Sequence, residues 1–295
     1  MTRGRFAVKP WLQALRPAHW TKSFFVLAPF LVGPRFGVNE YLLRSVSGAV
    51  LFGLISSAIY LFNDVIDAPS DKRHPTKRLR PVASGQISPW SAGALSSVLL
   101  LTTLGLGLLL DRGFFMMLLA YGANNLLYSL YVKKKTVLDV MSISAGFVMR
   151  VYAGGMLIDI DITDWLVACV FALSLLMGFG KRRAEFEGLR DDAPGARRGP
   201  NSYTTGKLNV LLGISASITI VTYMLYSVAP ETKALHGTDK LIFTTPFVVY
   251  CVYRFLLKVQ EEGREPADLI VHDRGFALAG SLWLISLLYL THPIR

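Results

Sequence analysis

The spacing of uncharged runs restricts this chain more than any other feature. "SAGALSSVLLLTTLGLGLLL" (91–110) holds twenty residues without a charge. At 1.5 Å per residue, a helix of that length spans about 30 Å, the thickness of a bilayer's hydrocarbon core. Comparable runs recur to the end, and we predict nine spans, roughly 18–35, 43–66, 88–110, 113–131, 136–157, 163–181, 207–228, 240–257 and 271–291. Backbone polar groups in lipid must bond within the protein, which leaves helices or closed barrels. The lengths select helices. The expected fold is an all-α polytopic membrane protein, one transmembrane domain over 1–295 with polar cap loops near 67–87 and 182–206.

Composition agrees. Of 295 residues, 52% are hydrophobic and only 17% charged, with a mean hydropathy of +0.43. Soluble domains are closer to one quarter charged. Arg3, Arg5, Lys9 and Arg16 precede the first apolar run with no small-residue cleavage site after it, so no cleavable leader is expected. Cys169 and Cys251 lie inside apolar runs and read as small hydrophobes rather than as a disulfide or metal ligands. There is no internal repeat or low-complexity tract.

The formal net charge of +11 is a matter of topology. Nine spans put connections on alternating sides. Of the 31 Lys and Arg residues, 24 fall on the side of the N-terminus, 67–87, 132–135, 182–206 and 258–270, and six on the other. Arg150 lies within a span. The positive-inside rule predicts a multi-pass protein of the cell (inner) membrane with its N-terminus and basic loops in the cytoplasm. A nucleic-acid partner is not expected, because topology already accounts for the charge.

Topology does not account for the acidic residues on that side. "NDVIDAPSDKRHPTKRLRP" (63–81) ends an uncharged run. On a continuous helix Asp64 and Asp67 project together, with Asp71 one turn farther. Adjacent carboxylates repel unless a cation separates them, and Mg²⁺ suits all-oxygen ligands shared with substrate phosphates. Pro69 disfavours helix at Ala68 and leaves Asp71 open. Lys72, Arg73, Lys77, Arg78 and Arg80 follow, as a polyphosphate would require. The plainer alternative for the aspartates alone is a solvated helix end whose carboxylates cap the next helix; positive-inside anchoring explains the basic residues but not the aspartates.

A second group is "YSLYVKKKTVLDV" (128–140), with Tyr128, Tyr131, Lys133, Lys134, Lys135 and Asp139. Interfacial tyrosines and anchoring lysines would suffice for it structurally. Arg150 lies three helical turns beyond Asp139, on the same face, and an arginine at that depth is expected to point into the bundle. A third group is "GFGKRRAEFEGLRDDAPGARRGPNSY" (178–203), where Lys181 and Glu185 have the spacing of a plain helix ion pair. Arg254 and the Asp273–Arg274 pair flank the last polar loop. There is no GxxxxGK[ST] motif, no histidine metal spacing and no Ser/His/Asp order.

Taken together, these residues resemble the UbiA superfamily of intramembrane prenyltransferases. That family has nine helices around a central cavity and a first aspartate motif, N-D-x-x-D-x-x-x-D, matched by Asn63, Asp64, Asp67 and Asp71. Most members carry a second Asp-rich motif on the sixth helix, where this chain has "GKRRAE" (180–185). It is instead similar to the branch of decaprenyl-phosphate phosphoribosyltransferases, through "RPAHWTKS" (16–23), the stretch 60–85, "GKRRAE" and 246–274.

The resemblance implies transfer of phosphoribosyl from 5-phosphoribosyl diphosphate to a polyprenyl (decaprenyl-type) phosphate for cell-envelope glycan precursors, releasing diphosphate. It implies Mg²⁺ on Asp64 and Asp67, with Asp71 a further ligand. Lys22, Lys77, Arg78 and Arg80 would neutralise the leaving group. Lys133 or Lys134, with Arg150, would hold the acceptor phosphate. Lys181, Glu185 and Tyr203 would contact the ribose or its 5-phosphate, and Asn63, Tyr128 and Arg198 complete the substrate-binding set. Homo-oligomerisation is left open. The rival enzyme is an ordinary prenyltransferase using a prenyl diphosphate. The rival of another class is a transporter or scaffold, whose polar groups would be expected nearer the midplane.

Overall fold

The computed structural model describes residues 8–192, 203–262 and 272–292, and no strand occurs among them. Helix α1 (Val8–Leu15) leads into a 3₁₀ segment (Pro17–Val26) and α2 (Ala28–Val32). The long helices are α3 (Asn39–Asp71), α4 (Pro89–Leu110), α5 (Arg112–Leu130), α6 (Leu138–Leu157), α7 (Asp164–Asp192) and α8 (Thr205–Val228). After the short α9 (Pro230–His236) come α10 (Thr245–Glu262) and α11 (Arg274–Thr291).

Seven described stretches are long and apolar enough to cross a membrane: α3, α4, α6, Asp164–Glu187 of α7, α8, Lys240–Glu261 and α11. The expected nine differ from this in two places. Span 113–131 does form a 19-residue helix, but Asn124 and Asn125 lower its hydropathy. Asn124 exchanges hydrogen bonds with Ser142 of α6, at 3.0 and 2.9 Å, so the polar groups join two helices. Span 18–35 is no continuous helix. Pro17 and Pro29 each remove a helix donor, and the segment breaks into a 3₁₀ stretch and one short helix.

The expected cap loops also begin later than the sequence suggested. Helix α3 continues to Asp71 and α7 to Asp192, so both polar stretches start as helix.

The 3₁₀ segment packs against α3 and α6, and its anchor is Trp20. A Cβ on Gly53 would lie 2.6 Å from the Trp20 ring, so only glycine lets the indole lie against α3. The indole N–H donates to Ser57 Oγ at 3.0 Å, and that hydroxyl donates to the Leu15 carbonyl at 2.7 Å. These contacts fix Arg16 and Lys22 beside the C-terminal half of α3.

One apolar core joins Val26, Phe52, Ile55, Phe114, Leu118 and Leu157; a second joins Val140, Leu176, Phe179, Leu208, Val252 and Phe255. Outward, Leu101, Leu109 and Ile285 are exposed, as suits a surface solvated by lipid. Cys169 and Cys251 are both free thiols.

Candidate functional site

Three polar groups gather at the end of the bundle where α3 finishes and α6 begins, and a further one, Arg150, lies deeper along α6. The first is the end of α3. Pro69 does not break it: Lys72 N–H still reaches the Ala68 carbonyl at 3.2 Å. The helix therefore keeps Asp64 and Asp71, seven residues apart, on one face. Arg80 joins them, donating to Asp71 Oδ2 at 2.8 Å and to Asp64 Oδ1 at 3.3 Å. Arg16 donates to the same Asp64 Oδ1 at 2.7 Å. Asp64 is 2% exposed, and its Oδ2 has no hydrogen-bond partner among the described residues.

This corrects the expected pairing. Asp64 is grouped with Asp71 rather than with Asp67. Asp67, one turn away, is 34% exposed and meets Lys133 Nζ at 3.3 Å. A 100° step per residue puts i+7 closer in angle to i than i+3, once the helix remains unbroken. Asn63 is half-buried beside them, while Lys77 and Arg78 are exposed and make no ion pair to a described residue.

The second group is centred on Asp139, which is fully buried in the first turn of α6. Its Oδ2 accepts from Arg182 Nε and its Oδ1 from the Tyr203 hydroxyl, both at 2.8 Å. Tyr203 also accepts from Val137 N–H at 2.7 Å. Burial raises the Tyr203 pKa, so the phenol stays a neutral donor. Arg182 reaches Glu185 at 2.6 Å and the Tyr128 hydroxyl at 3.3 Å.

One expectation is extended here and one changes. Glu185 keeps the expected ion pair with half-exposed Lys181, Oε1 at 3.9 Å, and adds a shorter one with Arg182, Oε2 at 2.6 Å. The Tyr203 hydroxyl already serves Val137 and Asp139, so it supports the scaffold instead of facing a ribose. Arg198 lies outside the described residues.

The third group is Arg150. It is 5% exposed and donates to the Gly146 carbonyl at 2.8 Å and the Tyr121 hydroxyl at 2.7 Å. Its guanidinium carbon lies 4.5 Å from the Tyr121 ring centroid and 5.5 Å from those of Phe52 and Phe147. It has no ion pair among the described residues, and Nε is unpartnered. Asp139 shares its face but sits about 16 Å along the axis, too far to pair. A buried charge in a span costs about 3 kcal/mol or more. Cation–π contacts return about 1 kcal/mol each. The aromatic cage softens the cost without supplying an anion.

The fourth group links the others. Lys22 is half-buried within electrostatic reach of Lys181 and Arg150. His19 feels Lys22, Arg16 and Lys181, and Tyr60 holds His19 Nδ1 at 3.3 Å. Cations thus converge from three elements, and a polyanion is the complementary ligand. Lys134 is exposed on the adjoining turn. A separate hollow at the other end of the bundle, lined by Arg35, Asp159, Asp161, Thr163 and Glu231, contains none of these residues.

Among the described residues no three His, Cys, Asp or Glu side chains converge as a ready-made metal cage. The donor set nonetheless fits a hard cation: two clustered carboxylates, one with an unpartnered buried oxygen, and a third one turn away. Arg16, Arg182, Asp139 and Tyr60 join the site only through the fold. Arg16 opens the "RPAHWTKS" stretch, and Arg182 directly follows Lys181.

The model of the UbiA prenyltransferase family matches residues 23–272. Decaprenyl-phosphate phosphoribosyltransferase of Mycobacterium tuberculosis (strain ATCC 25618 / H37Rv) is 31% identical over 278 residues, covering 92% of this chain and 91% of that protein. The protein of that name from Mycolicibacterium smegmatis is 30% identical, covering 92% and 89%. Among solved structures, a UbiA homolog from Archaeoglobus fulgidus bound to DMAPP and Mg²⁺ superposes with a TM-score of 0.69 at 18% identity, covering 96% of this chain and 99% of that one. With the model spanning most of the chain and the fold matched end to end, this multi-pass membrane protein belongs to the UbiA prenyltransferase family.

Proposed function

We propose that the protein transfers the 5-phosphoribosyl group of 5-phosphoribosyl diphosphate to a polyprenyl phosphate, releasing diphosphate, at the cytoplasmic face of the membrane. The relatives' names suggest the reaction. The observation that carries it is the charge pattern. Asp64, Asp67 and Asp71 are at the α3 end and Asp139 is paired on both oxygens, while among the described residues Lys22 and Arg150 make no ion pair and Lys181 meets only Glu185, at 3.9 Å. A prenyl diphosphate with a neutral acceptor supplies one phosphorylated end. Two phosphorylated substrates need a second cationic half-site, which Lys22, Lys181 and Arg150 would supply.

Mg²⁺ would be held by Asp64 and Asp71, with Asp67 beside them, and when bound it would neutralise charge on the diphosphate. Arg80, Lys77 and Arg78 then receive the leaving group's remaining oxygens. Arg150, with Lys22, orients the acceptor phosphate. That phosphate is already ionised, so placement and charge balance are the main requirements and no strong general base is needed. Lys133 lies against Asp67 and can pass from that carboxylate to an incoming phosphate. Lys181, half exposed, remains available to the ribose or its 5-phosphate, with Glu185 beside it on Arg182.

The decisive experiment supplies the purified protein with polyprenyl phosphate and 5-phosphoribosyl diphosphate, and reads lipid products by mass spectrometry. A product heavier by one phosphoribosyl group is expected only with a divalent ion. A prenylated product made from prenyl diphosphate, with none from the phosphoribosyl donor, would replace this reading with ordinary prenyl transfer.

A further inference from the structure

Arg16 has three properties that substrate neutralisation alone does not require. Its backbone is left-handed (φ 52°, ψ 55°), although it is not glycine and directly precedes Pro17. A residue before proline is driven toward extended conformations, and strain of this kind persists where the surroundings impose it, often at functional sites. The strained turn delivers the guanidinium onto buried Asp64 at 2.7 Å, above the Tyr60 ring at 4.8 Å. Arg80 lands on the same oxygen and on Asp71. Two carboxylates thus carry two guanidiniums, and Asp64 Oδ2 is left over.

We propose that Arg16 and Arg80 are exchangeable counterions, and that Arg16 is a donor-binding residue. This rests on the metal–diphosphate reading above. A divalent cation brings two positive charges to the two carboxylates, matching the two guanidiniums they already hold. The exchange leaves the carboxylates balanced and frees two guanidiniums a few ångströms away. Diphosphate oxygens are their natural new partners. Arg16 is 22% and Arg80 29% exposed, so neither is locked in by packing. An ion alone must displace the arginines into solvent. An ion together with diphosphate gives them a new acceptor. The two ligands are therefore coupled, each strengthening the other.

Calorimetry on the purified full chain in lipid nanodiscs tests this, with Mg²⁺ alone, inorganic diphosphate alone, and diphosphate at saturating Mg²⁺. Arg16→Gln should bind Mg²⁺ alone several-fold more tightly, because a competitor is gone. It should bind diphosphate at saturating Mg²⁺ about tenfold more weakly, the effect of one lost charge-assisted hydrogen bond. Arg16→Lys should recover part of the diphosphate affinity. Opposite signs for the two ligands cannot come from general loosening of the fold. If Arg16→Gln weakens both ligands alike, or moves neither while wild-type diphosphate binding needs Mg²⁺, the exchange is wrong and the metal reading stands. If wild-type diphosphate binding ignores Mg²⁺, the metal reading fails and the exchange fails with it.

Discussion

The ends of α3 and α6 each bury an aspartate against an arginine from another element, yet they are built for different ends. Asp139 has a partner on both oxygens, one of them a tyrosine that also ties down the Val137 backbone. Asp64 has both arginines on one oxygen and, among the described residues, no partner on the other. The arginines do not make the difference: Arg182, Arg16 and Arg80 are similarly exposed, and Arg182 is held a second time by Glu185 as Arg80 is by Asp71. The carboxylates make it. One with both oxygens committed supports a scaffold, and one with an open oxygen can take up a further cation.

Asp64→Asn should separate the two most strongly. We expect lipid-product formation to fall about a hundredfold or more, the usual scale for removing a main electrostatic element of a site. Its unfolding temperature should change little, because Arg16 and Arg80 can resolvate. Near-normal turnover in the variant would remove Asp64 from the chemistry.

Arg150→Met should come next, with the signs of activity and stability opposed. The KM for polyprenyl phosphate should rise about tenfold, one charge-assisted contact, with the donor KM unmoved. Stability should hold or increase, since replacing a buried charge that lacks a counterion relieves desolvation. A fall in stability with an unchanged acceptor KM would make Arg150 structural.

These contrasts also explain how much was legible in the sequence. Uncharged runs report membrane spans directly, because lipid accepts almost nothing else. They failed at 18–35, where prolines divide an apolar run into pieces with the right composition and the wrong continuity. The aspartate motif was visible as a motif, but its grouping was not. Whether Pro69 ends α3 decides whether Asp71 or Asp67 sits with Asp64, and local propensity favoured the wrong answer. Arg16 and Arg182 were hidden for a different reason. Each looks like one more inside-positive charge until the fold places it on an aspartate 48 or 43 residues away. The resemblance points Tyr203 at the ribose, and only the structure reveals that its hydroxyl already serves Val137 and Asp139.

Tyr203→Phe should have a middling effect. It removes a donor to Asp139 and the acceptor for Val137 N–H, at about 1–3 kcal/mol for buried polar groups losing a partner. Val137 has φ 70°, poorly suited to a β-branched residue, so the turn carrying Lys133 depends on that bond. We expect a lower unfolding temperature and a modest fall in kcat, with the donor KM unchanged. A large rise in donor KM would return Tyr203 to the substrate.

The smallest effect should come from Asp273, which resembles Asp64 in charge and Asp139 in commitment. It accepts from Arg254 Nε at 3.0 Å and caps α11 through Phe276 N–H at 2.8 Å. The hydrogen bond from Arg254, then the one from Phe276, lower its pKa to about 2. Because the folded value lies below the ordinary carboxylate value, its contribution is complete above pH ~4 and is lost as pH falls toward 2. Asp273→Asn keeps a capping oxygen but loses the ion pair, and should cost at most about 1 kcal/mol near neutral pH. The gap between wild type and variant in unfolding temperature should shrink as the pH is lowered through that window. A gap that persisted to pH 2 would mean that Asp273 acts through packing rather than charge, and the likeness to the two buried aspartates would end there.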